Sequence, residues 1–304
     1  RIAAKLGIDH LLLDVKQAFS DKVVADFLSE YSRGRTPNPC IRCNEFIKFG
    51  VLMENARRLG ANFLATGHHA RVESENASGR YLLKKGFDRH KDQSYFLYRL
   101  TQDQLAKTLF PVGDITKAEV REIARSFGLP AAQRPESQEV CFIPDNDYIR
   151  FLEERIPLAF RRGPILDVEG KVLGEHEGIV RFTVGQRRGL KISAAQPLYV
   201  IEIRPEKNEI VVGPNNFLYK NELLASDVHL VSQSDPEGAL SVKAKIRYRH
   251  SEAGAAVTFL DSGRARVVFD RPQRAVTPGQ AVVFFEGDTV LGGGTIMSTG
   301  GASC

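Results

Sequence analysis

The chain has 304 residues, of which 42% are hydrophobic and 26% charged, an ordinary composition for a soluble globular protein of two or three domains. No apolar run approaches the length of a membrane span, and four cysteines are too few for a disulfide framework, so we expect a protein of the reducing cytoplasm. The formal net charge of +5 fits a polyanionic partner such as nucleic acid without requiring one.

The first 145 residues alternate strand and helix signals. The helix at 116–130 has the clearest ends, because Thr116 and Glu119 form a capping box and Gly128 and Pro130 stop the helix. Strands that alternate with helices are typical of an open α/β domain with a parallel sheet. The predicted elements are buried strands at 10–15 and 62–72 and helices at 20–33, 102–109 and 116–130.

The pattern changes after about residue 145, where short alternating runs lie between glycine turns. Their near-regular spacing predicts a small β-rich domain followed by a β-barrel. Residues 243–250 (KAKIRYRH) predict a strand with four cations on one face, and the glycines at 292–294 are interpreted as a barrel turn. We therefore divide the chain into an α/β domain (1–145), a small central domain (146–213) and a C-terminal barrel (214–304).

Two of the four cysteines, Cys40 and Cys43, follow a Pro-Asn-Pro turn at the start of a helical pattern. We expect the helix to begin at Asn44 and to end near Gly60, since the prolines make the preceding turn stiff and non-helical. At a helix N-terminus, free N–H groups and partial positive charge favour thiolate over thiol. The position indicates chemistry, although two unrelated buried thiols are the plain alternative.

A third cysteine, Cys141, lies at the edge of the same α/β domain, where loops that follow parallel strands can bring it to the C-x-x-C turn. Three thiols around one cleft admit three interpretations. They are ligands of an iron–sulfur cluster with one iron left open, ligands of structural zinc with His68 or His69 as the fourth, or a nucleophile and a persulfide carrier without metal. Cys304 ends a polar tail and is expected to be inert.

Further stretches fit RNA without requiring it. The two histidines of ATGHHAR (65–71) follow an apolar strand and suit contact with phosphate, metal or base, or are simply loop residues. The segment HKDQSYFLYRL (90–100) suits phosphates and exposed bases, but equally a turn that leads into an aromatic core. The cations of KAKIRYRH fit phosphate contact or an ordinary solvated strand face.

Six motifs, in this order and spacing, resemble those of the tRNA-specific 2-thiouridylases: GRTPNPCIRCNEFIKF, ATGHHAR, KDQSYFLY, SQEVCFIP, TVGQRRGL and PGQAVVFFEGDTVLGGGTI. The resemblance runs from about residue 8 to residue 297. It implies an adenine-nucleotide hydrolase-like α/β domain of the PP-loop type, a small central domain and a C-terminal β-barrel. The implied activity is ATP-dependent replacement of the 2-oxygen of the wobble uridine of tRNA by sulfur. ATP adenylates that oxygen, and a sulfur species then displaces AMP.

The resemblance also implies roles for individual residues. Cys43 matches the catalytic cysteine and Cys141 the persulfide carrier. Cys40 stands where many members have Asp, and the C-x-x-C variety is associated with a 4Fe–4S cluster on these three cysteines, which leaves one iron free to hold sulfide. The remaining implied contacts are with the target base at Asn38, Pro39 and Cys40, with ATP at Gly67, and with tRNA at His68, Lys91, Asp92, Gln93, Arg247, Tyr248 and Gln280.

One part of the implied site is not found in the sequence. The 304 residues contain neither S-G-G-x-D-S nor a Walker-type G-x-x-x-x-G-K-S/T, and such a phosphate loop should precede residue 1. We therefore expect a truncated copy of the enzyme, or a second polypeptide that supplies the missing half-sheet; a non-catalytic tRNA-binding fragment is the alternative function. The implied cofactors are ATP with Mg²⁺. The implied partners are tRNA and a sulfur-donating protein, either a cysteine desulfurase or a sulfur relay.

Overall fold

The computed structural model describes residues 2–75, 77–133, 140–231 and 238–299, so Cys304 lies outside the described residues. The helices are α1 (Ile2–Leu6), α2 (Lys16–Phe19), α3 (Ala25–Ser32), α4 (Pro39–Arg42), α5 (Met53–Arg58), α6 (Gln102–Ala106), α7 (Lys117–Ser126) and α8 (Tyr148–Arg155). The strands are β1 (Leu64–Ala65), β2 (Ala70–Glu75), β3 (Arg80–Lys85), β4 (Thr108–Leu109), β5 (Gly163–Leu166), β6 (Val172–His176), β7 (Tyr199–Arg204), β8 (Glu209–Gly213), β9 (Tyr219–Leu230), β10 (Ala239–Lys245), β11 (Ala253–Leu260), β12 (Arg264–Arg274), β13 (Ala281–Glu286) and β14 (Thr289–Thr299).

Two helical stretches of the N-terminal region contain a segment with π-type hydrogen bonding. The segment Ser20–Val24 joins α2 to α3, and the segment Cys43–Leu52 joins α4 to α5. The first stretch begins at Lys16, earlier than predicted, and its apolar stripe is buried at Phe27 and Tyr31. The predicted capping box at the start of α7 is present, because both of its reciprocal hydrogen bonds form.

The second helical stretch, which carries the C-x-x-C cysteines, begins at Pro39 and continues to Arg58. The predicted start at Asn44 is therefore too late. Pro39 occupies the first position of the helix, where its missing N–H is not needed and its fixed φ already matches the helix. The second proline thus starts the helix instead of excluding it. Cys40 lies in the first turn, and Cys43 follows that turn as the first residue of the π-type segment.

Parallel pairing in the N-terminal part of the described chain is confined to β1 and β4, each two residues long. The predicted strand at 10–15 is wrong, since no strand forms there and Leu12 is 93% exposed. A continuous apolar run becomes a parallel strand when neighbouring elements cover it, and none of the described strands pairs with this run. The predicted strand at 62–72 is divided between β1 and the beginning of β2.

The central domain contains a four-stranded sheet in the order β6-β5-β8-β7, in which only β5 and β8 are parallel among the described strands. Its core is shared with the first helical stretch. Phe27 and Tyr31 pack in one cluster with Leu152, Ile165 and Val200. The central domain is therefore joined to the N-terminal region by buried apolar contacts.

Strands β9 to β14 form a closed, six-stranded antiparallel barrel in the order β13-β10-β11-β12-β9-β14, with β13 also paired to β14. This confirms the predicted C-terminal barrel. Alternate residues of β13 point to different cores, because Phe284 fills the barrel while Phe285 packs outside it with Leu83 and Tyr95. The β2–β3 hairpin joins the same sheet at β14. The N-terminal region thus packs on the outer face of the barrel.

Two details of the predicted barrel are wrong. The glycines at 292–294 lie inside β14, where a Cβ at Gly293 would lie 2.6 Å from the carbonyl oxygen of Val282. They are small because strands pack closely there, and the turn lies before Thr289. The strand predicted for 243–250 ends at Lys245, so the rest of KAKIRYRH does not continue its face.

Candidate active site at the thiol-bearing turn

Residues 36–38, here called the thiol turn, lead directly into the helix of Cys40 and Cys43. Cys40 is exposed, Cys43 is half-buried, and both are free. Asn38 occupies the N-cap position, but its side chain makes no capping hydrogen bond. The start of the helix is therefore not fixed by a local cap, and contacts from other elements have to hold it.

Cys141 is a neighbour of both turn cysteines. Its charge is among the causes that shift the pKa of the Cys40 thiol and of the Cys43 thiol. The segment of Cys141 is anchored by Phe142, whose ring packs edge-on against Phe19 and Phe27 with centroid distances of 5.5 and 5.3 Å. Cys141 itself is exposed. The three cysteines that the sequence singled out are therefore close enough for their charges to interact.

The thiols have raised pKa values. Loss of solvation around the sulfur is the largest cause for both thiols, even though part of Cys40 is exposed at the surface, and a negative charge on Cys141 adds to it. The pKa of each thiol is therefore shifted toward the protonated form, contrary to the thiolate expected at a helix N-terminus, and loss of solvation is the largest cause. Lys48 is the positive group that opposes the rise in pKa at both thiols.

Lys48 was missed by the sequence reasoning, although it lies inside the quoted motif. Residues five apart do not face each other on an ordinary α-helix. The π-type segment Cys43–Leu52 bonds each residue to the fifth one along, which changes the faces on which Cys43 and Lys48 lie. No α-helical pattern in the sequence signals this pairing.

Lys48 also contacts the first histidine of ATGHHAR. Its Nζ lies 3.3 Å from Nε2 of His68, and the other ring nitrogen, Nδ1, lies 2.8 Å from Oγ1 of Thr66. A charged lysine can only donate, so the hydrogen-bond network assigns the ring hydrogen of neutral His68 to Nδ1. Burial, followed by the positive charges of Lys48 and His69, lowers the pKa of His68 to about 3. His68 is therefore neutral at physiological pH.

The opposite face of the thiol-bearing helix forms a charged cluster with the barrel. Arg99 contacts Glu45 at 2.7 Å and Asp227 of β9 at 2.8 Å, and Arg42 contacts Glu45 at 3.1 Å and Asp26 at 3.5 Å. A cavity of about 100 Å³ lies beside the cluster and is lined in part by Asn38. The cluster ties the helix to α3 and to the barrel.

Two residues of the predicted tRNA segment 91–93 accept hydrogen bonds from backbone N–H groups of neighbouring loops. The buried carboxylate of Asp92 accepts hydrogen bonds from the N–H groups of Gly86 (3.0 Å) and Ser94 (3.1 Å). Gln93 Oε1 accepts from the N–H of His69 at 3.0 Å. These contacts give Asp92 and Gln93 a structural use, while direct contact of residues 91–93 with tRNA stays a prediction.

Arg247, a predicted tRNA contact, joins the barrel to the central domain. Its Nη2 donates to the carbonyl oxygens of Ala275 at 2.8 Å and Val184 at 3.1 Å. The neighbouring Tyr248 packs on Phe96 with a centroid distance of 4.5 Å. A charge reversal at Arg247 would therefore disturb the protein as well as any bound RNA, and its direct contact with RNA also stays a prediction.

The two remaining predicted contacts lie in different settings. Gly67 is exposed, and no described heavy atom outside its chain neighbours lies within 4 Å of the place a Cβ would take, so the backbone there is open to a ligand. Gln280 is half-buried, and its Nε2 donates to the carbonyl oxygen of Thr36 in the thiol turn at 2.9 Å. The sequence did not signal this contact, which spans the chain from the α/β domain to the barrel.

Among the described residues, no group of three or more His, Cys, Asp or Glu side chains is arranged to hold a single metal ion. This speaks against the zinc hypothesis, and His68 is already engaged with Lys48 and Thr66. An iron–sulfur cluster has a different requirement, because each of its three cysteine thiolates would bind a different iron and they need not converge on one ion. The three neighbouring free thiols are the donor type that such a cluster needs.

Comparison with known families places all three regions. Residues 1–145 match a family model described as tRNA methyl transferase HUP domain, and residues 149–214 match the tRNA methyl transferase PRC-barrel domain. Residues 220–296 match an aminomethyltransferase β-barrel domain. The fold and the matches define a tRNA-modification class of protein with an α/β domain, a small central domain and a barrel.

Individual relatives are more specific. The chain is 50% identical over 296 residues to the tRNA-specific 2-thiouridylase MnmA of Geotalea uraniireducens. The alignment covers 97% of this chain and 78% of the relative. It is 49% identical over 300 residues to the protein of the same name from Pelotomaculum thermopropionicum, and this alignment covers 99% of the chain and 82% of the relative. The chain belongs to the tRNA-specific 2-thiouridylase family. The matches give no support to the expectation of a lost phosphate loop, which stays a prediction.

Within the described ranges, no helix has both the length and the apolar character needed to cross a bilayer.

Proposed function

We propose that this protein replaces the 2-oxygen of the wobble uridine of tRNA by sulfur in an ATP-dependent reaction. The observation that supports the proposal is that Cys141, although distant in sequence, lies near enough to Cys40 and Cys43 for its charge to act on both thiols. The relatives are named for thiolation, whereas two of the matched family models are named for methyl transfer. Three neighbouring thiols suit the formation and transfer of a persulfide, which favours thiolation over methyl transfer.

The persulfide route balances with two of the cysteines. The 2-oxygen of uridine attacks the α-phosphorus of ATP and releases pyrophosphate. The terminal sulfur of a persulfide on Cys141 then attacks C2, and AMP leaves with the former 2-oxygen. The Cys43 thiolate attacks the inner sulfur of Cys141, the S–S bond breaks, and its electron pair stays on the sulfur of 2-thiouridine. The resulting Cys43–Cys141 disulfide is reduced by an external thiol.

Other residues of this chain support that route. Lys48 is the cation that favours the thiolate of Cys43. Exposed Cys141 is accessible to the persulfide of a sulfur-donating protein, either a desulfurase or a relay. Asn38 and Pro39 are proposed to meet the target base, and Gly67 to approach ATP, which binds with Mg²⁺. We also propose that the α/β domain ends at residue 145 and the central domain at residue 213, as the sequence pattern predicts.

The cluster route uses the same residues differently. Cys40, Cys43 and Cys141 would be the ligands of a 4Fe–4S cluster, which supplies bound sulfide as the nucleophile when it is present. Cys40→Asp separates the two routes, because Asp keeps a polar group at this position but is a poor substitute for thiolate. Thiolation by iron-free Cys40→Asp protein would leave only the persulfide route.

The test is complementation. A bacterial strain whose tRNA lacks 2-thiouridine receives the gene for this chain together with its natural upstream DNA, and its tRNA nucleosides are measured by mass spectrometry. We expect wild-type protein to restore 2-thiouridine, and Cys43→Ser and Cys141→Ser to restore none. Accumulation of a methylated uridine, or full thiolation by Cys43→Ser, would overturn the proposal. The alternative of a purely tRNA-binding protein predicts no restoration by any variant.

A further inference from the structure

The side chain of Gln280 reaches from the barrel to the thiol turn. Its Nε2 lies 2.9 Å from the carbonyl oxygen of Thr36 and 3.3 Å from that of Pro37. The backbone of Gln280 is itself fixed, because its carbonyl accepts the N–H of Ile296 at 2.8 Å. The side-chain amide of Gln280 is therefore attached to a hydrogen-bonded part of the barrel and donates to the backbone of the thiol turn.

The thiol turn has few hydrogen-bond donors of its own. Pro37 and Pro39 have no N–H, so only Thr36 and Asn38 carry a backbone donor between residues 36 and 39. The N–H of Thr36 is already used, since it donates to the carbonyl oxygen of Pro278 at 2.9 Å. Half-buried carbonyls need partners, and here the partners come from outside the turn. The two prolines stiffen the turn, but external donors decide where it lies.

The barrel backbone also touches the turn directly. Gly279 adopts φ +89°, and a Cβ there would lie 2.8 Å from the nitrogen and 2.9 Å from the oxygen of Thr36. Only glycine combines this conformation with so close an approach. The contact is therefore built into the P-G-Q sequence that precedes β13.

The central domain holds the same residue. Oγ1 of Thr183 lies 3.0 Å from Oγ1 of Thr36. Thr183 is itself positioned by Gln186, whose Oε1 accepts its N–H at 3.1 Å. This gives the TVGQRRGL motif a use that its sequence did not reveal, since it places a hydroxyl against the thiol turn.

We propose that Gln280 is a positioning residue that sets the location of Cys40 and Cys43 relative to Cys141. The inference rests on the proposed function for the identity of the reaction, and it differs from the implied tRNA contact of Gln280. Pro39 is the first residue of the thiol-bearing helix, so a displacement of the turn moves both thiols. Cys141 belongs to a separate segment that is anchored through Phe142, so we expect it to keep its place when the turn is displaced.

The test replaces Gln280 by Met, which keeps the length of the side chain and removes both donors. In ligand-free protein, deuterium uptake is measured for the peptide spanning 35–43, and iodoacetamide alkylation is measured for Cys43 with Cys141 as internal reference. We expect exchange in that peptide to be about tenfold faster and Cys43 to be alkylated at least about threefold faster. In the complementation assay, 2-thiouridine should fall about tenfold.

Gln273→Met is the matched control. Gln273 is a second barrel glutamine, buried where Gln280 is half-buried, and its Nε2 donates to the carbonyl oxygen of Arg271 within the barrel at 2.7 Å. We expect this variant to leave the 35–43 peptide unchanged. If Gln280→Met does not fold, Thr183→Val removes the other side-chain contact to Thr36 and should change exchange and alkylation in the same direction.

The outcomes separate two failures. If Gln280→Met lowers tRNA affinity while exchange and alkylation stay unchanged, Gln280 is only a tRNA contact and the inference is wrong. If exchange and alkylation change as expected but wild-type protein thiolates no tRNA, the positioning role stands and the proposed function fails.

Discussion

Each strand of the C-terminal barrel pairs with two other barrel strands, and its alternate apolar side chains point into one closed interior. The thiol turn, in contrast, belongs to no strand, and its N-cap residue makes no side-chain capping hydrogen bond. The barrel is held by residues close to one another in the last third of the chain. The turn is held by Gln280, Thr183 and Pro278, which lie far from it in the sequence. Burial keeps the barrel folded, and a few polar contacts keep the turn in place.

This difference explains how one protein combines a stable scaffold with an adjustable site. Apolar burial contributes a large stabilisation but is non-directional, so it stabilises the barrel without fixing the exact position of the thiol turn. Hydrogen bonds contribute little net stability, but they are directional. Loss of a contact at the turn should therefore change thiol position more than it changes the free energy of unfolding.

The largest expected effect is on the barrel core. Phe284→Ala removes a completely buried ring and should lower the free energy of unfolding by about 3–5 kcal/mol. The control in the N-terminal region is Leu12→Ala, where the side chain is 93% exposed and the change should stay within about 0.5 kcal/mol. Urea unfolding of both variants checks this. A loss of several kcal/mol at Leu12 would show that residues 10–15 are covered in solution and would break the comparison.

The next effect is on the charged cluster that ties the thiol-bearing helix to the barrel. Arg99→Met removes one of the two arginines that the carboxylates of Glu45 and Asp227 share, and leaves Arg42 as the other. We expect a loss of about 2 kcal/mol, below the value for a fully buried pair because Asp227 is partly solvated.

Arg58→Met is the control for that prediction, because Arg58 and Glu54 form a pair of the same type at 3.1 Å on an exposed surface. Its removal should cost at most about 0.5 kcal/mol. Equal losses at the two arginines, measured by urea unfolding, would mean that the cluster does not hold the helix to the barrel.

The comparison also explains which features were predictable from the sequence. The barrel was predicted because alternation of apolar residues is local and its consequence, one buried face, does not depend on the rest of the chain. The capping box at Thr116 and Glu119 was predicted for the same reason. The glycines of β14 were misplaced, because close strand packing at Gly293 depends on Val282 and on Tyr98 of the N-terminal region, not on the residues beside it.

The site was predictable in its cysteines but not in what surrounds them. Cys40, Cys43 and Cys141 carry a recognisable chemistry, whereas their raised pKa values depend on burial that no local pattern encodes. The strand predicted at 10–15 failed because periodicity cannot tell whether an apolar run finds a neighbour. Gln280 and Lys48 were missed as active-site supports, since one acts across the whole chain and the other through π-type bonding.

The smallest expected effect concerns that lysine and is electrostatic. Lys48 opposes the rise in pKa of Cys43, so Lys48→Met should raise this pKa further. A thiol with a higher pKa has less thiolate at any pH below it. The rate of Cys43 alkylation at neutral pH should therefore fall by roughly threefold, and its inflection should move to higher pH. The same substitution removes a positive charge beside His68, whose pKa of about 3 should rise while burial keeps it below the ordinary value.

Lys22→Met is the control for this effect. The Nζ of Lys22, in the first helical stretch, lies 5.6 Å from the centre of the Phe46 ring of the thiol-bearing helix, but Lys22 is not among the charges that act on the Cys43 thiol. It should leave the alkylation profile in place. Alkylation of metal-free protein is followed across pH by mass spectrometry, and the histidine titration by NMR. The two profiles must converge at high pH, where the thiol is ionised with or without Lys48. A rate lowered by the same factor at every pH would mean that the substitution restricts access to Cys43 and that the charge of Lys48 is not the cause.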